Sequence, residues 1–268
     1  MQRRKLGRTP FEVAPLAFGG NVFGWTADEA TSFRLLDRFV EGGGNLIDTA
    51  NSYSRWAPGH VGGESETVIG RWIARRGHHH DVVIATKVGS DMGQGAKCLR
   101  REHILQQVDD SLRRLNVDAI DLYQSHWDDE KTPFEETLET YARLIERGKV
   151  RAIGASNLTA QRLSAALDVS ARDGLPRYET LQPLYNLYDR DTFEGALRDV
   201  CLRDDIGVIT YFSLGAGFLT GKYRSEKDFD KSARGPGMKK YLNARGLRIL
   251  GALDDVAARL HEIGRAHV

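Results

Sequence analysis

The sequence has few cysteines, no long apolar run and almost no imbalance of charge, and each shortage excludes a class of protein. Only two of its 268 residues are cysteines, Cys98 and Cys201, and they lie outside any Cys-x-x-Cys spacing. Such a pair encodes neither a disulfide framework nor a zinc site, so we expect reduced thiols. The 38 Lys and Arg residues against 37 Asp and Glu residues give a net charge of +1. That balance argues against a basic nucleic-acid-binding surface.

Membrane and export signals are equally scarce. No stretch of about 18 apolar residues occurs, so we expect no membrane-spanning helix. The first seven residues are basic but lack the apolar segment of a signal peptide. We therefore expect a soluble, cytoplasmic protein with no nucleic-acid or membrane partner. Hydrophobic residues make up 41% and charged residues 28% of the chain, values typical of a globular protein.

The strongest pattern present is an alternation of short apolar segments with amphipathic helical segments. Seven segments are predicted to be strands buried on both faces. They are residues 16–18, 46–48, 82–87, 121–126, 151–155, 180–184 and 207–211. This alternation predicts an α/β protein with a parallel sheet, either an open doubly wound sheet or a (β/α)8 TIM barrel. The barrel is favoured because no Gly-x-Gly-x-x-Gly follows any predicted strand, and because polar residues end many strands rather than one.

Two predicted helices carry recognisable start signals. Thr132, Pro133 and Glu135 match a capping box with proline at the first helical position. Thr26, followed three residues later by Glu29, predicts the start of an earlier helix in the same way.

Polar residues stand at or near the carboxyl ends of six predicted strands. They are Asp48, Lys87, His126, Ser156 with Asn157, Gln182 and Tyr211. In a barrel these ends converge on one mouth, where barrel active sites are built. A buried charge needs a partner, so Asp48 and Lys87 are expected to pair. Either residue alone is explained by a structural ion pair, whereas so many polar strand ends together indicate a site.

Tyr53 follows Asp48 by five residues and is within loop reach of the same mouth. A tyrosine titrates near about 10, and a neighbouring ammonium such as Lys87 stabilises the phenolate and lowers that pKa. His126 can then orient a substrate carbonyl or share the proton transfer. The alternatives are a surface tyrosine and a strand-end histidine with structural roles only.

Several stretches, in order and correctly spaced, resemble the motifs of the aldo-keto reductases, a family of NADP(H)-dependent (β/α)8 enzymes with an Asp, Tyr, Lys and His tetrad. The stretches are residues 45–53, 85–87, 121–127, 149–157 and 181–186. The resemblance runs from an N-terminal hairpin to about residue 260 and implies one barrel domain over residues 1–268. It implies an enzyme that reduces a small aldehyde or ketone.

The resemblance also implies a role for each matching residue. Tyr53 is expected to donate the proton, Lys87 and Asp48 to tune Tyr53, and His126 to position the carbonyl. The residues implied to contact NADP(H) are Gly20, Asn21, Asp48, Ser156, Asn157, Gln182, Tyr211, Ser213, Leu214, Gly217 and Lys222. Within that set, the polar residues of the fifth and sixth strands would hold the nicotinamide carboxamide, Tyr211 would stack on the ring, and residues 213–222 would fold over the pyrophosphate.

The C-terminal region departs from the family pattern. After seven predicted strands the chain has one more predicted helix, residues 247–260, so we expect the eighth β/α unit to be absent. In the family that unit binds the adenosine 2′-phosphate, so the preference for NADP is implied without the residues that carry it. Residues 263–268 resemble a translated sequencing adapter, and residues 262–268 are expected to be a non-native tail.

Three histidines, residues 78–80, are the one candidate for a metal site. They lie in a Gly-flanked loop and no acidic cluster accompanies them, so a solvated loop is expected and no metal is assigned.

Three functions remain open from the sequence. The favoured one is an NADPH-dependent carbonyl reductase, because all four tetrad residues are present. The second is a redox-sensing, cofactor-binding subunit with little turnover, since some relatives are channel-associated subunits. The third is a Schiff-base lyase that uses Lys87 as nucleophile; it requires a neutral amine, which Asp48 disfavours.

Overall fold

The computed structural model describes residues 1–261 of the chain, and these form two compact units. The first unit comprises Met1–Gln182 and Leu197–Ile209, and the second comprises Pro183–Ala196 and the chain from Thr210 onward. The prediction of a single domain over residues 1–268 stays a prediction. Residues 262–268, the expected non-native tail, lie outside the described residues.

The first unit is built on a seven-stranded parallel sheet. Its strands are β3 (Ala17–Gly19), β4 (Leu46–Asp48), β5 (Val83–Val88), β6 (Ile120–Ser125), β7 (Val150–Ser156), β8 (Thr180–Gln182) and β9 (Gly207–Val208). The helices that connect them are α1 (Glu29–Glu41), α2 (Glu64–Arg76), α3 (Arg101–Leu115), α4 (Phe134–Glu146), α5 (Ala160–Asp173) and α6 (Ala196–Arg203). Every residue of β5 and β6 is buried, as expected for strands covered on both faces.

The strand order decides between the two predicted architectures. The order is β3-β4-β5-β6-β7-β8-β9, and all six neighbouring pairs are parallel. A doubly wound sheet reverses its order at a switch point, and the sheet formed within residues 1–261 has no such reversal. The fold is therefore α/β and TIM-barrel-like, as predicted. The expected absence of an eighth unit stays a prediction.

A two-stranded hairpin precedes the sheet. Its strands, β1 (Arg4–Lys5) and β2 (Glu12–Val13), pair antiparallel, and Val13 joins a buried apolar cluster with residues of the parallel strands. Gly7 in the hairpin turn has a φ of +55°, and a Cβ there would lie 2.5 Å from the carbonyl oxygen of Glu179. The turn therefore requires glycine, and it lies at the start of β8.

All seven predicted strands are present, but the last two are shorter than predicted. Pro183 has no N–H to offer the ladder, and β8 ends at the residue before it. Beyond this point Leu184 and Tyr211, in the second unit, form only an isolated parallel bridge.

Both predicted helix caps were wrong. Asp28, not Thr26, caps α1, because its carboxylate accepts from the backbone N–H of Thr31 at 2.8 Å. The hydroxyl of Thr132 donates instead to the Asp129 carboxylate at 2.6 Å, so it does not cap α4. At α1 the carboxylate of Asp28 is the stronger acceptor for the helix N–H, and before α4 the carboxylate of Asp129 is the stronger acceptor for the Thr132 hydroxyl.

The second unit contains three short 3-10 segments, Gly215–Thr220, Glu226–Lys231 and Gly235–Lys240, followed by α7 (Ala244–Leu260). The predicted helix at residues 247–260 is confirmed and begins three residues earlier, where the Asn243 side chain accepts from the backbone N–H groups of Arg245 and Gly246. A buried cluster that includes Phe218, Tyr223 and Leu250 forms the core of the second unit. No helix within the described part of the chain has the length and apolar character needed to cross a membrane.

Candidate active site

Lys87 lies at the centre of a buried hydrogen-bond network at the carboxyl ends of the strands. It stands near the end of β5 and is fully buried. Its Nζ donates to Asp48 Oδ1 at 2.8 Å and Oδ2 at 2.6 Å. It also donates to the carbonyl oxygen of Thr49 at 2.8 Å and to the hydroxyl of Tyr53 at 2.8 Å. The predicted pairing of Asp48 with Lys87 is present.

The contacts of Lys87 bear on its protonation. Burial lowers its pKa from the ordinary value, and the Asp48 carboxylate opposes that shift. An ammonium has three hydrogens, and here they meet a carboxylate, a carbonyl and a phenol oxygen. A neutral amine would have only two hydrogens for these acceptors and would lose its charge interaction with the Asp48 carboxylate at 2.6 Å. The geometry therefore does not favour a Schiff-base nucleophile.

Asp48 ends β4 and is 6% exposed. Besides Lys87, its Oδ1 accepts from Gln182 Nε2 at 2.9 Å and from Gln124 Nε2 at 3.4 Å. Its Oδ2 accepts from the Tyr53 hydroxyl at 3.3 Å. These donors compensate for the burial of the carboxylate. Asp48, at the end of β4, thus connects β5, β6 and β8 to the loop that carries Tyr53.

Tyr53 is partly exposed and lies in the loop after β4. Its hydroxyl accepts from an ammonium and donates to a carboxylate, so a phenolate formed there would lie beside a fixed positive charge. A positive charge at hydrogen-bond distance favours the ionised form of a phenol. The arrangement can therefore deliver a proton to a molecule at the mouth.

His126 follows β6 and faces Tyr53. The two ring centroids are 5.8 Å apart with an interplanar angle of 73°. The Nδ1 atom of His126 lies 2.9 Å from Ser90 Oγ and 3.5 Å from Ser52 Oγ, and its ring stacks on Trp127 with centroids 5.6 Å apart. The four predicted tetrad residues are thus brought together.

The imidazole of His126 is kept neutral by its surroundings. Burial lowers its pKa well below the ordinary value, and the positive charges of Lys87 and Lys97 lower it further. A neutral imidazole has one N–H donor and one acceptor nitrogen. At neutral pH the ring can therefore donate one hydrogen bond without carrying charge.

Three predicted cofactor residues form a second, adjoining network. Ser156, the last residue of β7, donates its hydroxyl to the backbone oxygen of Gln182 at 2.7 Å. Asn157 has a left-handed φ of 58°, and its Nδ2 donates to the backbone oxygen of His126 at 3.0 Å and to Ser156 Oγ at 3.0 Å. These bonds fix the amide beside the tetrad.

Gly20 and Asn21 follow β3 in the first unit. The backbone N–H of Gly20 donates to the carbonyl oxygen of Asp48 at 2.7 Å, and its own carbonyl accepts from Ser65 Oγ at 2.7 Å. A Cβ at Gly20 would come within 2.9 Å of Ser65 Oγ. The loop therefore stays close to the end of β4, next to Asp48, and Asn21 continues it.

The remaining predicted cofactor residues lie in the second unit. Burial, with the negative charge of Asp189, raises the pKa of Tyr211 from its ordinary value. Within the loop that includes Ser213 and Leu214, Gly217 has a φ of +107°, and a Cβ there would lie 3.8 Å from Lys222 Nζ. A lysine ammonium thus lies beside a tightly turned glycine segment, a combination suited to phosphate oxygens.

The residues present fit a nicotinamide cofactor. A carboxamide carries both donors and an acceptor, so it needs polar partners of both kinds. Gln182 uses its Nε2 on Asp48, and no described residue donates to its Oε1. Gln182 can therefore accept a hydrogen bond from a carboxamide N–H. Across residues 1–261 no group of three or more His, Cys, Asp or Glu side chains is placed to hold a metal ion, and the assignment of no metal stays a prediction.

Sequence reasoning missed three side chains of this region. Ser90 contacts His126, Gln124 contacts Asp48, and Glu66 is fully buried on α2. The carboxylate of Glu66 accepts from Thr86 Oγ1 at 2.5 Å and from Arg114 Nε at 2.7 Å, and its charge also acts on Lys87. Gln124 was detectable as a polar residue inside an apolar strand, whereas Ser90 and Glu66 carried no such signal.

Comparison with known proteins agrees with this geometry. The aldo/keto reductase family profile matches residues 15–268. Aldo-keto reductase YhdN of Bacillus subtilis is 36% identical over 238 residues, which are 85% of this chain and 67% of that protein. Protein tas of Escherichia coli is 32% identical over 291 residues, covering 100% of this chain and 82% of that protein. A protein of Oryza sativa named "Probable voltage-gated potassium channel subunit beta" is 32% identical over 226 residues, 83% of this chain and 67% of its own length.

The family profile and the match to Protein tas extend over nearly the whole chain and include Asp48, Lys87 and His126. They support an oxidoreductase of a family that uses nicotinamide cofactors and acts on small carbonyl compounds. By its family profile, its relatives and its sheet of parallel strands in chain order, the chain belongs to the aldo/keto reductase family.

Proposed function

We propose that this chain is an NADP(H)-dependent oxidoreductase that reduces an aldehyde or ketone to an alcohol, with Tyr53 as proton donor. The observation that carries the proposal is the unbroken set of hydrogen bonds that joins Asp48, Lys87 and Tyr53, with His126 facing the phenol ring. The expected location is the cytoplasm, and no metal, membrane or nucleic acid takes part.

The nicotinamide, when bound, supplies a hydride to the carbonyl carbon. The proton comes from Tyr53, whose O–H bond breaks as the new bond to the carbonyl oxygen forms. Lys87 stabilises the resulting phenolate, because its ammonium donates to the same oxygen at 2.8 Å. Asp48 holds Lys87 in its charged form. A proton taken up from solvent then restores Tyr53.

His126 has the role of orienting the carbonyl. A neutral imidazole beside Tyr53 can donate one hydrogen bond to the carbonyl oxygen, which places that oxygen close to the phenol. Two donors aimed at one oxygen stabilise the negative charge that develops there. Trp127, stacked on the imidazole, limits how the ring can turn.

Each of the two units carries residues proposed to contact the cofactor. In the first unit, Ser156, Asn157 and Gln182 would hold the nicotinamide carboxamide, with Gly20 and Asn21 at the rim. In the second unit, the residues proposed to contact the cofactor are Tyr211, Ser213, Leu214, Gly217 and Lys222. The preference for NADP over NAD is taken from the resemblance.

The test is NADPH oxidation by the purified chain with 4-nitrobenzaldehyde, followed by measurement of the alcohol formed. We expect one alcohol per NADPH oxidised and slower turnover with NADH. The Tyr53→Phe variant should lose at least about 100-fold in kcat. Tyr178→Phe is the matched control, because Tyr178 is buried in the first unit and its hydroxyl bonds to Ser125 rather than to a tetrad residue. Equal activity in the two variants would contradict the proposal.

A second candidate is a cofactor-binding, redox-sensing subunit with little turnover. The observation in its favour is the 32% identity to the rice protein named as a channel subunit. It predicts tight NADPH binding, measured by quenching of tryptophan fluorescence, with no alcohol produced from any of a set of reactive aldehydes. Rapid turnover would exclude it.

A further inference from the structure

A neutral imidazole can carry its proton on either ring nitrogen, and only the nitrogen with the proton can donate to a carbonyl. We propose, on the basis of the proposed function, that Ser90 is a positioning residue: its hydroxyl donates to Nδ1 of His126 and so keeps the proton on Nε2, the nitrogen that would donate to the substrate carbonyl.

Ser90 is well placed for this role. It lies three residues beyond Lys87 in the loop after β5 and is 8% exposed. Its Oγ is 2.9 Å from Nδ1 of His126, an ordinary hydrogen-bond distance for a hydroxyl and a ring nitrogen. Its backbone oxygen accepts from Gln94 Nε2 at 3.0 Å, and this second hydrogen bond helps to fix the position of Ser90.

The surroundings of Ser90 decide between the two tautomers. The only side-chain hydrogen bond of Ser90 within residues 1–261 is the one with His126. If the proton is on Nε2, the hydroxyl hydrogen points to Nδ1 and both groups are satisfied. If the proton is on Nδ1, that N–H donates to Oγ and the hydroxyl hydrogen of a nearly buried serine has no acceptor among these residues. An unsatisfied buried donor costs free energy, so the Nε2–H form is favoured.

The other contacts of His126 fix the ring but not the proton. Its backbone N–H donates to the carbonyl oxygen of Val88 at 2.8 Å, and Trp127 covers one face of the ring. Ser52 Oγ is 3.5 Å from Nδ1, the outer limit for a hydrogen bond. The choice of tautomer therefore rests mainly on Ser90. Because Lys87 and Lys97 also disfavour the doubly protonated ring, tautomer rather than charge is the property to be controlled.

The tautomer can be measured directly. Long-range ¹⁵N–¹H correlation spectra of the full chain, labelled with ¹⁵N-histidine, separate the Nε2–H and Nδ1–H forms by their nitrogen shifts. The chain has eight histidines, and the His126 signals are assigned by their loss in His126→Asn. We expect the Nε2–H pattern in the wild type. In Ser90→Ala we expect a mixture of the two forms, and Ser90→Thr, which keeps a hydroxyl, should restore the wild-type pattern.

Kinetics supply the second measurement. Ser90→Ala should lower kcat for an aromatic aldehyde by about tenfold and leave the KM for NADPH unchanged. The loss is smaller than the roughly 100-fold or more expected from removing a general acid, because Ser90 acts only through His126. Ser90→Thr should recover most of kcat. Ser52→Ala, the neighbouring hydroxyl at the longer distance, should retain the wild-type tautomer.

Either of two results would overturn the inference: a Nδ1–H pattern in the wild type, or a Ser90→Ala chain that keeps both the Nε2–H pattern and its kcat. The wild-type spectrum decides the first point even if Ser90→Ala does not fold. Failure of the proposed function can be distinguished from failure of this inference, because the tautomer of His126 can be measured even in a wild-type chain that shows no turnover.

Discussion

The two ends of the parallel sheet each hold an aspartate paired with a cation, and the two pairs behave differently. At the carboxyl ends, Asp48 Oδ2 lies 2.6 Å from Lys87 Nζ, and the lysine side chain is 0% exposed. At the amino ends, Asp121 near the start of β6 lies 3.0 Å from Arg151 near the start of β7, and the arginine side chain is 59% exposed.

The difference lies in what each pair does with its remaining hydrogen bonds. Asp121 also accepts from the backbone N–H of Ile84 at 2.8 Å, so its carboxylate fastens β5, β6 and β7 to one another. In the Asp48–Lys87 pair, by contrast, the Lys87 ammonium also donates a hydrogen bond to the hydroxyl of Tyr53. A buried ion pair that reaches a proton-bearing group at the mouth is suited to chemistry, whereas one that ends on backbone is suited to stability.

The largest expected effect comes from removing the cation of each pair. Lys87→Met should abolish measurable turnover and lower the free energy of unfolding by about 3–5 kcal/mol, because the Asp48 charge stays buried without its partner. Arg151→Met should cost less, about 1–3 kcal/mol, and leave turnover intact, because Arg151 is largely exposed and the buried Asp121 carboxylate keeps its hydrogen bond from the backbone N–H of Ile84. Urea unfolding and NADPH oxidation measure both quantities.

A double variant separates charge from chemistry. Asp48→Asn combined with Lys87→Met removes both charges and should recover part of the lost stability without any return of turnover. Recovery of turnover in this double variant, or equal losses of stability in Lys87→Met and Arg151→Met, would remove the contrast between the two ends.

A smaller effect is expected in the dependence of stability on pH. Burial lowers the pKa of His126 in the folded chain, so below about 6.5 the unfolded chain takes up a proton that the folded chain does not. The free energy of unfolding should therefore fall as the pH falls below that value, by up to about 1.4 kcal/mol per pH unit from this residue. Urea unfolding of His126→Asn at a series of pH values should show a shallower slope than the wild type; identical slopes would contradict the shift.

The smallest predicted effect concerns Lys97, whose Nζ lies 4.6 Å from the centre of the Trp127 ring. Its positive charge contributes to the lowered pKa of His126, so Lys97→Gln should raise that pKa, and only slightly because the lysine is exposed and its charge is screened by solvent. Lys5→Gln in the N-terminal hairpin is the matched control and should leave it unchanged. An NMR titration of His126 that shows no difference between the two variants would refute this contribution.

Much of the hydrogen-bond network at the carboxyl ends was predictable because buried charges and short loops allow few alternative arrangements. A charge at the end of a buried strand requires an opposite charge, which paired Asp48 with Lys87, and Tyr53 could reach them only through the loop after β4. The strand order followed from the alternation of elements and from the missing glycine motif. Pro183 shows the limit of such reasoning, since β8 was predicted to continue through a residue that cannot donate to the ladder.

Side-chain partners set by irregular loops could not be predicted. Ser90 meets His126 only because the loop after β5 turns back toward the end of β6, a path that no periodic pattern encodes. For the same reason the Thr132 hydroxyl was assigned to the helix start, although Asp129 lies close enough to accept from it. Contacts that depend on three-dimensional proximity outweigh local propensity at these positions.

The most direct test of the central claim is to follow hydride and proton together. The chain is supplied with NADPH carrying deuterium at the transferable C4 position and with an aromatic aldehyde, and the product is examined by mass spectrometry. We predict an alcohol with one deuterium on the carbinol carbon in the wild type and none formed by Tyr53→Phe, which should still bind NADPH. Alcohol without deuterium, or an equal yield from Tyr53→Phe, would contradict the assignment of Tyr53 as the proton donor in nicotinamide-dependent carbonyl reduction.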